Sequence, residues 1–249
     1  MSFMTDTLVP GPKADLNIAF PSSGRTATEA AARVDEMLGT VHAAPLARDF
    51  ADAPSGIVAG TLIEVAGGQV PVEKLRAGDK VRTLDGGFAP VRWIARRRVS
   101  RSAMQANPAL RPVLIEAGSM AEGVPARDLR VAPRHNVLLQ DWRCELLFGE
   151  DEVLAPASAL CNGADIDVDA AEQGITYYDV MFDKHEVILC NGLPVESYRP
   201  EERDLDRIAK TRSAELLSLF PQLAAGFDGF GPQARATLKP HEAKVLMAM

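Results

Sequence analysis

Apolar residues change their spacing twice along this chain. Up to residue 25 they fall without a period among Pro, Gly, Ser and Asp, which predicts a poorly ordered arm. From Thr26 to Leu38 the spacing is helical: Ala31, Val34 and Leu38 share a face. Thr26 or Thr28 is placed to cap that helix, and Gly39 to stop it. His42 follows as an exposed linker histidine, and Ala43 to Pro54, with two prolines, reads as linker.

From Gly60 the period drops to two. Thr61 to Val65 is a strand closed by Gly67-Gly68, Val72 to Leu75 is a single turn, and Lys80 to Leu84 is a second strand. Asp85-Gly86 turns the chain into Val91 to Ile94. No helix fits between these runs, so neighbours are expected to pair antiparallel. Ser100 to Leu110 reads as a polar loop, Val113 to Ile115 as a strand, and Gly118 to Ala126 as a corner. Leu129 to Val131 leads through Pro133-Arg134-His135 to an apolar run at Val137 to Leu139. Trp142 to Phe148 and Val153-Leu154 flank Gly149-Glu150-Asp151 as a hairpin, Pro156 to Leu160 is a helical turn, and Asp165 to Gln173 is acidic and exposed. Ile175 to Asp183 and His185 to Leu189 are two strands joined at Asp183-Lys184, and Asn191-Gly192 is a tight turn.

After Pro200 helix formers take over. Glu201 and Glu202 suit a helix start, and Leu205, Ile208, Leu216, Leu219 and Phe220 make an apolar stripe. Residues 221–240 read as loop or tail, with a short helix from His241 to Met249. The organisation expected is an arm with one helix and linker over 1–54, an all-β domain over 55–198, and a C-terminal helical extension over 199–249.

Composition narrows the partners. A formal charge of −7 and a pI near 5.2 argue against a nucleic-acid surface. The basic run Arg96-Arg97-Arg98 with Arg101 departs from that balance and reads as a solvated edge, with an anion patch as the alternative. The three cysteines, Cys144, Cys161 and Cys190, include no CxxC pair, so neither a disulfide framework nor a metal site is expected, and no cofactor is implied. The N-terminus lacks the basic start and apolar core of a secretory signal, and no stretch is long enough to span a bilayer. A cytoplasmic location, or export without a cleaved signal, is the expectation.

Three blocks in order, "AGTLIEV…GQVPVEKLRAGDKVRTLDGGFAPVRWI", "RDLRVAPRHNVLL" and "YYDVMFDKHEVILCNGLPVES", resemble the Hint domain of hedgehog autoprocessing domains and inteins. The likeness runs over about residues 56–198 and is nearest to the stand-alone bacterial Hint-type proteins. It implies an all-β Hint fold, a flattened disc of antiparallel strands in two pseudo-symmetric halves, with helices flanking it at both ends. It also implies a chemistry. In such domains a Cys or Ser at the first position attacks the preceding carbonyl, and a His in a Thr-x-x-His block protonates the departing nitrogen.

Carried over residue by residue, the resemblance puts Gly56 at the nucleophile's position, four before the Gly60-Thr61 pair. Glycine has nothing to attack with. Ser55, one position earlier, substitutes only if the backbone bulges there. His135 matches the block histidine, but Ala132 replaces its Thr; His135 is either the general acid or a structural hydrogen bonder. His185 matches the late block, as a vestigial acid or as a polar residue at a hairpin corner. Glu196 and Ser197 stand where an intein keeps its last His and Asn, so splicing by Asn cyclisation is not expected. Cys190 falls inside a strand and reads as buried.

The resulting expectation is a degenerate, non-cleaving Hint scaffold that binds an unknown protein or small ligand, with no nucleic-acid or membrane partner. The alternative is a self-processing domain cleaving near Ser55-Gly56 by an N–O acyl shift with His135 as general acid.

Overall fold

A computed structural model describes residues 53–170, 173–201 and 210–248. The helix expected over 26–38, its linker, and the positions of Leu205 and Ile208 lie outside those residues.

Two sheets carry the fold, antiparallel but for the β10–β15 pair of the second. The first has six strands in the order β11 (Ile166–Val168), β7 (Val113–Ile115), β8 (Leu129–Val131), β1 (Ile57–Val58), β12 (Ile175–Met181) and β6 (Trp93–Val99). The second runs β15 (Ala236–Thr237), β10 (Glu152–Pro156), β9 (Asn136–Gln140), β14 (Leu193–Glu196), β13 (Val187–Cys190), β2 (Leu62–Val65), β4 (Lys80–Thr83) and β5 (Gly87–Pro90), with β3 (Gly68–Pro71) paired to β2. The period-2 pattern explains the strands. In β4, Val81 and Thr83 are buried while Lys80 and Arg82 face solvent, and in β8 Leu129 and Val131 are buried on either side of Arg130. One apolar cluster, including Ile57, Ile63, Ile115, Val137 and Ile188, joins both sheets into a single core.

The chain reverses near Gly67-Gly68 and at Asp85-Gly86 as expected, but Gly68 already pairs with Val65, and β4 pairs with β5 rather than with the expected strand Val91 to Ile94; Val72–Lys74 is one 3₁₀ turn. Elsewhere tertiary packing overrides the local pattern. The runs 175–183 and 185–189 do not pair with each other: β12 lies in the first sheet, β13 in the second, and the chain crosses between sheets at residues 182–186. Trp142–Phe148 is not a hairpin arm but helix α2. Its start is capped by the Asp141 carboxylate, which accepts from the Arg143 N–H, and Gly149 at φ 71° stops it. The loop expected over 100–110 holds helix α1 (Arg101–Ala106), capped by Ser100, and a 3₁₀ turn at Pro108–Leu110. The acidic stretch 165–173 contributes β11, whose Ile166 is buried.

The C-terminal extension is built into the domain rather than trailing from it. Helix α3 (Lys210–Leu219) and the 3₁₀ turns at Pro221–Ala225 and Phe227–Phe230 bury Leu216, Phe220, Leu223 and Phe230 against Trp93, Met181 and Tyr198. Leu219, expected in the apolar stripe, is 39% exposed, because Leu216 and Phe220 take the inward face. The segment expected as tail then adds β15 alongside β10, and helix α4 (Pro240–Ala248) buries Ala243 and Leu246 in the main core. Among the described residues no helix is long and apolar enough to cross a membrane.

Candidate functional site

Strand β1 runs between β8 and β12, so the residues just before it are delivered to the turn that links β8 to β9. That turn is Ala132-Pro133-Arg134-His135, closed by the His135 N–H donating to the Ala132 carbonyl at 2.9 Å. Three contacts bind the incoming chain to it. The Ala132 N–H donates to the Gly56 carbonyl at 2.8 Å, the Arg134 N–H to the Pro54 carbonyl at 3.4 Å, and the Arg134 guanidinium to the Ala53 carbonyl at 3.4 Å. The turn therefore lies against the chain from Ala53 to Gly56, with contacts to the peptide bond that precedes Ser55 and to the one that follows Gly56. Ala132, in the place of that block's Thr, is fully buried in an apolar cluster with Val58 and Tyr177.

Ser55 is the residue that meets His135. Its Oγ is 3.4 Å from His135 Nδ1. Gly56 points elsewhere: a Cβ built on it would lie 3.1 Å from Asp179 Oδ1, 3.1 Å from the Tyr178 carbonyl oxygen and 3.2 Å from Tyr177 Cβ, and its φ is +121°. Few side chains tolerate that backbone conformation, and glycine is the residue that adopts it without strain.

Behind His135 stands a carboxylate that sequence reasoning placed only as a lost residue. All four residues of β14 are buried, which puts Glu196 inside the molecule. It needs partners there, and Asn136 provides two, its backbone N–H donating to Oε1 and its side-chain amide to Oε2, each at 2.8 Å. Glu196 Oε1 is 3.8 Å from His135 Nδ1, and Oε2 is 3.6 Å from His185 Nε2. The carboxylate thus sits between the two histidines and joins sites that the sequence offered separately. The available signal was an acid inside the otherwise apolar run Leu193-Pro194-Val195, a position that demands compensation.

His185 is 4% exposed, in the crossing between β12 and β13 rather than at a hairpin corner. Its Nδ1 accepts from the Ala234 N–H at 3.1 Å, which assigns the ring proton to Nε2, facing the Ser197 carbonyl at 3.1 Å. Ser197 is 1% exposed, and its Oγ accepts from the Glu186 N–H at 2.9 Å, so this hydroxyl is committed to holding the crossing.

Electrostatics set the protonation states. Burial lowers the His135 pKa below its ordinary value; the nearby Glu196 charge opposes this and His185 adds to it. His135 is accordingly a neutral imidazole at neutral pH. For Glu196 burial alone acts upward, but the contact with His185, the electrostatic interaction with the His135 ring and the Asn136 N–H outweigh it and hold the carboxyl below its usual range. The arrangement is not a serine–histidine–acid relay. In such a relay the hydroxyl and the carboxylate use opposite ring nitrogens, whereas Ser55 Oγ and Glu196 Oε1 both approach Nδ1, and the buried His135 Nε2 meets no hydrogen-bond partner among the described residues.

Cys190 is fully buried and burial pushes its thiol up, so it stays protonated; Cys161 is pushed up to about 11 by the same cause. Among the described residues no group of His, Cys, Asp and Glu could hold a metal ion.

The sequence model described as "Hint domain" matches residues 56–202. Among solved structures the chain is similar to a bacterial intein-like domain from Clostridium thermocellum, at 15% identity over 58% of this chain and 99% of that one, with a TM-score of 0.36. It is also similar to the MchDnaB-1 intein, at 12% identity over 56% and 98% of the two chains, with a TM-score of 0.35. No curated protein matches.

Proposed function

Since the chain belongs to the Hint domain family, whose model spans residues 56–202, we propose that it is a member that no longer cleaves at the family's first position and serves as a β scaffold for binding. The observation that carries this reading is the state of Gly56. The attacking atom is absent, and the space a side chain would need is taken by Asp179 Oδ1, the Tyr178 carbonyl and Tyr177 Cβ, with φ at +121°. The histidine that would act as general acid is buried and neutral, which removes the proton an amide leaving group requires. The framework is kept around a position that has settled into a glycine-only conformation. A scaffold of this kind would engage a protein or a small ligand at the surface left by the old cleft.

One observation favours self-processing instead, and it moves the reacting bond. Ser55 Oγ lies 3.4 Å from His135 Nδ1, and the Pro54 carbonyl accepts from the Arg134 N–H. In that reading Ser55 Oγ adds to the Pro54 carbonyl carbon while His135 takes the hydroxyl proton. The Arg134 N–H steadies the oxygen as charge develops on it. The Pro54–Ser55 C–N bond then breaks, the proton passes to the Ser55 nitrogen, and water hydrolyses the resulting ester.

Intact-mass measurement of the purified chain over several days, with and without hydroxylamine, separates the two. A single unchanged mass is expected. A fragment beginning at Ser55 that vanishes in Ser55→Ala overturns the non-cleaving reading, and a fragment beginning at Gly56 overturns it as well. The binding role is tested by affinity capture on the folded chain. A surface-charge variant distant from residues 55–56 should retain whatever partner is captured, and Arg134→Glu should lose it; capture that ignores both overturns the placement at the cleft.

A further inference from the structure

Residues 234–238 are held as a captured peptide is held. The Ala234 N–H donates to His185 Nδ1 at 3.1 Å. The Arg235 guanidinium donates twice to Asp85, at 2.7 and 2.9 Å, and once to Glu152. Ala236 and Thr237 pair with Val153 and Leu154 of β10, and the Leu238 N–H donates to the Leu154 carbonyl at 2.7 Å. Leu238 itself is 6% exposed and belongs to the main core cluster. Main-chain pairing along a sheet edge supplies affinity, and one charged side chain in a complementary slot with one buried apolar side chain supplies selectivity, which is the division of labour in strand addition.

Two features mark the segment as an addition to the β10 edge. Every other strand pair among the described residues is antiparallel, whereas β15 lies parallel to β10. The receiving groups, Asp85 in the β4–β5 turn, Glu152 on β10 and His185 in the sheet crossing, all come from within residues 56–202, which the family's model spans. Arg235 pairs with both the Asp85 and the Glu152 carboxylates, and it lies outside the span of that model.

We propose that the β10 edge, with Asp85 and Glu152 as an arginine slot and His185 at its end, is a strand-addition site for an extended Ala-Arg-Ala-Thr-Leu peptide, and that residues 234–238 occupy it in cis. This inference does not depend on whether the chain cleaves. Occupancy has a consequence for His185: the peptide N–H at Nδ1 fixes the ring proton on Nε2, toward Ser197 and Glu196, so the bound segment covers the histidine and sets its tautomer.

The test uses full-length protein with the slot's own cation reversed, Arg235→Glu, and a labelled synthetic peptide of residues 231–239. A tethered segment competes at an effective concentration on the order of millimolar, so wild type should exclude the free peptide. The variant should bind it at least tenfold more tightly than wild type does. A peptide with Glu at the arginine position should fail to bind the variant. Nitrogen-15 NMR of the His185 ring should show the Nε2–H tautomer in wild type, a tautomer mixture in Arg235→Glu, and recovery on adding peptide. Arg235→Met, which removes the charge without reversing it, replaces the first variant if circular dichroism shows that Arg235→Glu does not fold. Absence of peptide binding to a folded variant overturns the proposal, as does equal binding to wild type and variant, or binding that is indifferent to the arginine.

Discussion

A side chain added at Gly56 would press on Asp179 Oδ1 and the Tyr178 carbonyl while holding φ near +121°, a combination that costs about 1–3 kcal/mol at a non-glycine residue. Gly56→Cys is therefore expected to lower stability by about that amount in urea unfolding, with its intact mass unchanged. Recovery of cleavage in that variant would show that the family's chemistry awaited only its nucleophile. The buried pair of His135 and Glu196 sets the acid limb of stability. The folded pKa of His135 lies below its unfolded value near 6.5, so as pH falls below about 6.5 the unfolded chain takes up a proton that the folded one does not, and stability drops. Glu196, also depressed, stabilises above its unfolded value near 4.5, and that contribution is lost as pH falls through its folded pKa. Both slopes have the same sign. Unfolding free energy measured from pH 7.5 to 4 should fall steadily, and Glu196→Gln should flatten the lower part of the curve while starting from a less stable protein at pH 7.

Helix α2 shows how one cap decides an element. Its apolar content, with Trp142, Leu146, Leu147 and Phe148 close together, fits a strand as readily as a helix, and the hairpin expectation followed from that ambiguity. Asp141 resolves it by accepting from the Arg143 N–H at 2.9 Å and from the Arg143 guanidinium at 2.7 Å, while that guanidinium reaches the Leu246 carbonyl of α4. Asp141→Ala is expected to cost at least the ~1 kcal/mol of a lost cap, and more through the buried ion pair, whereas Asp141→Asn should keep most of the cap. Chemical denaturation of the two variants side by side checks the order. Strand β14 is the other decisive element. With all four of its residues buried, it carries Glu196 into the interior, and Asn136 on the neighbouring β9 is there to meet it.

At the scale of the whole molecule, the extension and the β domain share one fabric. Trp93 and Met181 from the first sheet pack with Tyr198, Leu216, Phe220 and Phe230, and the Phe220 and Phe230 rings meet edge to face at 5.8 Å. Phe220→Ala should cost about 3–5 kcal/mol. Because Trp93 is 2% exposed and Trp142 57% exposed, the change should also shift the buried-tryptophan component of the fluorescence to the red. An unaltered spectrum with full stability would show that the extension packs independently of the domain. The basic run needs no such explanation at this scale: Arg96 and Arg98 are exposed on β6, at the border of the first sheet, where charged side chains discourage pairing with other chains.

The sequence by itself established strands β2 and β4, the single turn at Val72–Lys74 and the family framework, because alternation and block order are local or linear signals, but it left unmarked the short strands β3 and β5 that pair with them. It also determined that position 56 has no nucleophile. The tertiary structure alone decided that β12 and β13 belong to different sheets, since a crossing and a hairpin have the same local composition. It decided that Ser55, rather than position 56, faces His135, because a single positive φ at Gly56 sets which way the neighbouring side chains point. And it decided that Glu196 lies between two histidines 61 and 11 residues away in sequence, and that a segment read as tail closes over one of them, because burial and pairing between distant strands leave no mark within any short window.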